Sequence, residues 1–493
     1  RYTPSSTLQR MELLKTGYMG TLSLGWDNYL FLELTGRQER SSTLKDQSFF
    51  YPSANLSFLF TQAFHMPSWW NYGKLRLSYG IVGNAPETYT ANIVYEQGSD
   101  NGFTWNTIPS SWGNADIRPE KKYEYEIGLE SKFLNNRLGI DISYYNNRVK
   151  DQILSTPQPS TSGVKNVLMN VGEVANRGWD ISISATPILT RDFRWDLTAN
   201  YGVYKNKVVK LADGVPYLEI LNSGGSGIKI QAVEGQPMGD IYAQVPQVNE
   251  NGEYLVSDKG LYLNQTELQK VGNINPAGVG GLFNSFSYKN VFLDFSIDFR
   301  IGGDVINEMN QYATAVGLTP ESLKYRDTEH GGLSYYYPGD NNSSGIPVQV
   351  DPSTGAGPNG EIIYHDGIIL PGVVASTGER NTRIIPAGYY YNTTYNWGTE
   401  AEQLTYRHSV FDNSYVKLRE LTIGYQFPEK MISKLGLGRL SVSVFGRNLF
   451  YFYKALKNYD AESSVGTSWA NQATVGSSTT ATRSFGVSLR ASF

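Results

Sequence analysis

His408 and its neighbours are the first residues in this chain that could do chemistry. Ser409 follows directly and Asp412 lies close behind, so a base, a nucleophile and an acid fall within one short stretch. A triad is defined by geometry and not by proximity in sequence, and a histidine at a strand entrance accounts for the same residues. A second candidate is the set Asp340, Asn341, Asn342, Asp351 and Asp366, whose oxygens suit calcium. No Asp-x-Asp-x-Asp-Gly loop accompanies it, which favours a solvated loop and leaves no metal assigned. Gly224-Gly225-Ser226-Gly227 lacks the Lys-Ser/Thr ending of a phosphate cradle and reads as a flexible loop. With no cysteine in the chain, thiolate metal sites, thiol nucleophiles and disulfide frameworks are excluded. The stronger candidates are aromatic: Trp105 and Trp112 in one segment, and Tyr335-Tyr336-Tyr337, Tyr389-Tyr390-Tyr391 and Trp397 in another. Aromatic faces beside Asp340 and Asn341 suit sugar rings, which stack their C–H faces and hydrogen-bond their hydroxyls. They suit peptides nearly as well, and loop packing or the docking of a lid protein would use the same residues. The aromatic readings, which are favoured, need no cofactor and do not make the chain an enzyme.

The elements that carry these residues are strands. Phe485, Val487, Leu489, Ala491 and Phe493 alternate with Ser484, Gly486, Ser488, Arg490 and Ser492. The same period of two runs through Leu75 to Ile81, Tyr123 to Leu129, Leu138 to Tyr144, Phe193 to Val203 and Val291 to Ile301. These strands are long, and charges recur on alternate positions in mid-strand. Soluble sheets more often use strands of about 5–6 residues, whereas a membrane-spanning barrel strand needs about 9–11. No apolar run reaches the length of a membrane helix, and mean hydropathy is −0.36. Aromatics make up 13 % of the chain, which suits the girdles of a barrel as well as a large soluble β-protein. A net charge of −4, without a basic stripe, argues against nucleic acid as a partner.

The connections have a rhythm. Short turns fall at Asp27-Asn28, Asn135-Asn136, 190–192 and Lys289-Asn290, with longer ones at 65–72 and 428–438. Between them lie polar segments at 84–118, 154–170, 211–275, 305–410 and 454–480, with 40–47 as the one short member. Alternating short turns and long loops are the connectivity of an outer-membrane barrel. About thirteen strands are expected, the first near Met11 to Trp26. Bacterial barrels close with even numbers, so at least one strand upstream is expected to be missing. The chain starts at Arg1 without a signal-peptide pattern, as a mature, truncated or fragmentary sequence would.

Five phrases then resemble a known family. They are 73–84 (GKLRLSYGIVGN), 170–178 (NVGEVANRG), 235–239 (GQPMG), Gly272-Asn273 through Phe286-Ser287-Tyr288-Lys289-Asn290 to Gly302-Gly303-Asp304, and 413–425 (NSYVKLRELTIGY) followed by Phe445-Gly446-Arg447-Asn448-Leu449-Phe450. Together with the terminal aromatic they resemble the SusC/RagA-like branch of TonB-dependent outer-membrane transporters. The resemblance implies an all-β transmembrane antiparallel barrel of 22 strands with a plugged lumen. Residues 1–493 would be its carboxy-terminal part, with the plug domain and early strands elsewhere. It also implies TonB-dependent uptake of oligosaccharides, or alternatively oligopeptides, through the bacterial outer membrane. A SusD-like surface lipoprotein would serve as lid, the TonB complex would act through the missing amino-terminal region, and transporter–lid pairs could dimerise. On this reading the apolar side of the last strand faces outer-membrane lipid, Arg490 faces the lumen, and Phe493 fits the terminal aromatic that barrel-assembly machinery recognises. A passive porin, a barrel hydrolase using His408 and a soluble carbohydrate-binding protein are the competing readings.

Overall fold

Alternation becomes a single wall in three dimensions. The computed structural model describes residues 11–45, 48–100, 103–157, 161, 163–223, 227–339, 345–396, 405–433, 436–464, 466, 468–475 and 481–492. Thirteen of its strands form one sheet in sequence order, each antiparallel to the next. They are β1 (Lys15–Trp26), β2 (Leu30–Ser41), β3 (Ser48–Phe58), β4 (Trp70–Asn84), β5 (Glu120–Phe133), β6 (Leu138–Lys150) and β7 (Glu173–Leu189). The second half comprises β8 (Phe193–Lys210), β9 (Gly278–Tyr288), β10 (Val291–Ile301), β11 (Tyr415–Gln426), β12 (Arg439–Lys454) and β13 (Ser484–Ser492). Strand count and turn rhythm agree with the sequence reading. Phe493 lies outside the described residues.

Register gives the wall two unlike faces. On β13, Val487 lies opposite Val444 and Leu489 opposite Val442, while Ser488 faces Ser443 and Arg490 faces Ser441. Followed from strand to strand, the polar face carries Arg76, Glu126, Asp141, Asp180, Asn200, Asp298 and Glu420. The opposite, outward face is apolar at mid-strand, with Leu77, Ile127, Ile142, Ile181, Leu282 and Ile297. Aromatic pairs bound that apolar band. Trp69 stacks on Phe133 at 5.9 Å on the turn edge, and Tyr144 packs on Trp179 at 4.9 Å toward the loop edge. On β5, Tyr125 and the terminal Phe133 lie about 27 Å apart along the strand before tilt. That matches an apolar band about 25 Å tall.

Two backbone features show why a turn and a strand need their residues. Asp27 and Asn28 take φ of 48° and 57°, the left-handed pair that a tight hairpin requires. A Cβ on Gly178 would sit 2.5 Å from the Tyr145 hydroxyl and 2.6 Å from the Val203 carbonyl. That glycine lets a large polar-face side chain cross the strand.

The long connections carry secondary structure and a core of their own. Residues 211–277 fold a four-stranded sheet of Tyr217–Ser223, Ile228–Val233, Asp240–Ala243 and Gln269–Asn273. Ile228, Ile230 and Ile241 from this sheet share a core with Ile306, Tyr406, Val410, Ala470 and Ala473. Three loops therefore pack as one crown on the loop edge. Among the described residues, β1 pairs only with β2 and β13 only with β12, so both sheet edges are open.

The two faces make a direct prediction. Val487→Arg should destabilise the folded wall in a bilayer by about 2–4 kcal/mol, whereas Ser488→Arg, one residue along, should cost little. Urea unfolding in lipid, followed by heat-modifiable gel mobility, measures both; equal costs would refute the face assignment.

Candidate functional site

The polar face concentrates its charges in a hollow. Arg76 points from β4 across Gly128, where a Cβ would lie 2.8 Å from the guanidinium. It donates to Asp141 at 2.6 and 3.2 Å and to Ser143 at 3.2 Å, with Glu130 at 3.5 Å. Asp141, Asp180, Asn200, Asp298, Arg300 and Tyr415 line the adjoining cavity of about 700 Å³. The lining carries both charge signs, carboxamide and hydroxyl, so it can solvate a polar molecule. Mid-strand charges in the sequence signalled these residues, but only register brings them together.

The 413–425 phrase proves to be a fastener. Asn413, buried, donates to the Ala461 carbonyl at 2.9 Å. Lys417, 1 % exposed, bonds Glu462 at 2.6 Å and lies over the Tyr451 ring at 4.8 Å. Arg419 reaches Asp298 at 2.6 Å, Asn448 at 2.9 Å and Glu462 at 2.8 Å. β10, β11 and the last loop are thus joined by one charge cluster, in which a bidentate guanidinium–carboxylate pair fixes geometry as well as charge. Burial pushes the Glu462 carboxyl up, but hydrogen bonds from Arg419 and Lys417, and their charges, outweigh it and hold the group at about 2.

The aromatic candidates divide. Trp105 is 46 % exposed on the hairpin of Glu96–Asp100 and Phe103–Thr107, and Trp112 is half-buried edge-on to Tyr95 at 6.3 Å. Tyr336 is half-buried. Tyr335 is buried, donates to Asp366 at 3.0 Å and stacks on Tyr364 at 5.4 Å, so it belongs to the core of its loop. Tyr389 and Tyr390 pack on Leu261, Ile368, Leu370 and Ile385, and burial pushes the Tyr390 hydroxyl far up. Trp397, Asp340, Asn341 and Asn342 lie outside the described residues, as do Gly224, Gly225 and Ser226.

The hydrolase geometry does not form. The Ser409 hydroxyl is buried and donates to the Tyr406 carbonyl at 2.8 Å. Asp412 accepts from the Ser414 backbone and hydroxyl at 2.9 and 2.7 Å. The His408 ring stacks on Tyr395 at 4.3 Å, and its desolvation there, with the Arg407 charge, pushes it down to about 4. Of the calcium candidates that are described, Asp351 bonds Ser353 and Asp366 bonds Tyr335. Among the described residues no group of three or more His, Cys, Asp or Glu is placed to hold a metal.

Comparison with known proteins agrees with this architecture. The family model described as "TonB dependent receptor-like, beta-barrel" matches residues 3–241. The chain is 24 % identical to "TonB-dependent receptor P3" of Formosa agariphila, over 91 % of the chain and 42 % of that protein. It is 30 % identical to "TonB-dependent receptor SusC" of Bacteroides thetaiotaomicron over 46 % of the chain and 24 % of that protein. In fold it is similar to the solved RagAB peptide transporter, with a TM-score of 0.65 and 18 % identity over 91 % of this chain and 45 % of that one. The chain thus spans less than half the length of these proteins.

The fastener can be tested by pH. Because the Glu462 carboxyl is held below its ordinary value of 4.5, its contribution is present above that value and disappears as pH falls toward about 2. Hydrogen-exchange protection at 460–464, measured against the intrinsic rate at each pH, should be high at pH 5 and fall on acidification, whereas Glu462→Gln should be weakly protected at both. A variant as protected as the wild type at pH 5 would show that the cluster does not hold the loop.

Proposed function

We propose, for a chain that belongs to the TonB-dependent receptor β-barrels of SusC/RagA type and lies in the bacterial outer membrane, that it forms the wall and crown of a nutrient importer. The observation that carries this reading is the pairing of a lipid-compatible outward face with a charged, hydrated inward face. An apolar exterior seats the sheet in hydrocarbon, where every backbone donor and acceptor must be satisfied. Two open sheet edges cannot persist there, so strands beyond the thirteen of this sheet close the barrel. A plug domain fills the lumen, and the full count is 22.

The cargo we propose is an oligosaccharide. Trp105, exposed, and Trp112, half-buried, lie in the loop between β4 and β5, and indole faces stack on sugar rings. Tyr336 adds a half-exposed ring on the largest loop. A SusD-like lipoprotein would close over the crown, TonB would supply energy through the plug, and transporter–lid pairs could dimerise. His408, Ser409 and Asp412 are engaged elsewhere, which supports transport without covalent chemistry.

Mass spectrometry of material retained by the complete transporter–lid complex tests the cargo. A bound oligosaccharide supports the reading, and a bound oligopeptide replaces it with peptide import. Trp105→Ala with Trp112→Ala should raise the half-saturating concentration for uptake roughly three- to tenfold, while His408→Ala leaves uptake unchanged. Steady ion conductance through the full-length protein would instead indicate an open porin.

A further inference from the structure

We propose that the loop-edge ends of β5–β8, on their outward face, dock a phosphate-bearing anionic lipid of the outer leaflet. Alternation and register place a cluster of cations there, among them Lys121, Arg148, Lys150, Arg177, Lys205 and Lys207. Arg148, Arg177, Lys205 and Lys207 are exposed. The only carboxylate that the same register sets among them is Glu173, bonded to Arg148 at 3.1 Å. Among the described residues, no carboxylate pairs with Arg177, Lys205 or Lys207.

The register makes this arrangement unfavourable when nothing is bound. Arg177 lies directly opposite Lys205, and Lys121 opposite Lys150. Like charges facing each other across an antiparallel pair destabilise it. An anion bridging the two strands removes the repulsion and supplies charge-assisted hydrogen bonds, which guanidinium groups make readily to phosphate. Arg177 belongs to the 170–178 phrase. In that phrase the neighbouring Asn176 donates to Asn147 at 2.9 Å and Gly178 accommodates Tyr145. The wall's architecture therefore accounts for Asn176 and Gly178 and leaves Arg177 unexplained.

Position selects a lipid over a free anion. Descending each strand from the cations, the outward face passes through Tyr125, Tyr144 and Trp179 to Ile127, Ile142 and Ile181. A headgroup phosphate at the cations would lay its acyl chains along this apolar band, which offers nothing to a soluble ion. Basic residues beside a membrane surface attract anionic lipid by about 1 kcal/mol each. The patch is also confined to one side of the wall. At the corresponding ends of β9–β12 the outward residues are Gly278, Ile301, Val416 and Phe450, all uncharged.

The inference rests on the outer-membrane seating of the wall and not on the nature of the cargo. The test uses full-length transporter in detergent, offered a diphosphorylated glycolipid or its dephosphorylated form, with retained lipid counted by native mass spectrometry. We expect the wild type to retain the diphosphorylated form and the Arg177→Gln/Lys205→Gln/Lys207→Gln variant to retain roughly tenfold less or lower. Heat-modifiable mobility checks that the variant is folded; if it is not, the wild-type comparison of the two lipids decides. Equal retention of both lipids, unchanged retention by the folded variant, or displacement by millimolar inorganic phosphate would each overturn the proposal. Loss of import with lipid retention intact would count against the importer reading alone.

Discussion

Backbone hydrogen bonding in hydrocarbon is the constraint on which the rest of this structure depends. Away from water each N–H and C=O must find a partner within the sheet. The ladder from β1 to β13 meets that demand for every interior strand. Once the ladder fixes register, the face of each position is fixed with it, and the sequence must supply an apolar or a polar residue to match. One side becomes Leu77, Ile127, Ile142 and Ile181, and the other becomes Arg76, Asp141, Asp180 and Asp298. A one-residue slip would exchange the two faces and put charges into lipid. Register and sidedness are thus enforced together, at each of twelve strand pairings in the ordered sheet.

What was legible in the sequence follows from this. Period-two alternation is a local signal, so Phe485 to Ala491 and Val291 to Ile301 read correctly as strands with two unlike faces. Tight turns were legible because Asp27-Asn28 and Lys289-Asn290 advertise left-handed backbone. The crown was not legible, because its strands are short and its core is assembled from distant segments. Ile228, Ile306 and Ala473 have no reason to be grouped until the fold is known. The aromatic candidates failed to separate for the same reason. Tyr335 and Tyr336 are adjacent in sequence, yet one is buried against Tyr364 and the other is half-exposed. Residue type alone cannot tell a binding ring from a packing ring.

The charged residues on the wall have three distinct uses. Arg76 with Asp141 lines a hollow on the inward face. Arg419 with Asp298 and Glu462 ties the crown to the strands. The cations at the loop-edge ends of β5–β8 face outward, where among the described residues Arg177, Lys205 and Lys207 have no carboxylate. The same guanidinium chemistry is satisfied in the first two settings and open in the third. Whether such a group is structural is therefore decided by the partners that register supplies, not by the residue.

The Arg419 cluster also orders events in time. Asp298 belongs to β10, Arg419 to β11 and Glu462 to the loop before β13, so its contacts span 121 and 43 residues of chain. Contacts between distant segments form late, because the chain between them must first be brought together. The crown's last loop therefore gains its anchor only after β10 and β11 are zipped and β12 has been laid against β11. During insertion, a partly built wall would carry an unfastened crown, and the final hairpin would complete both at once.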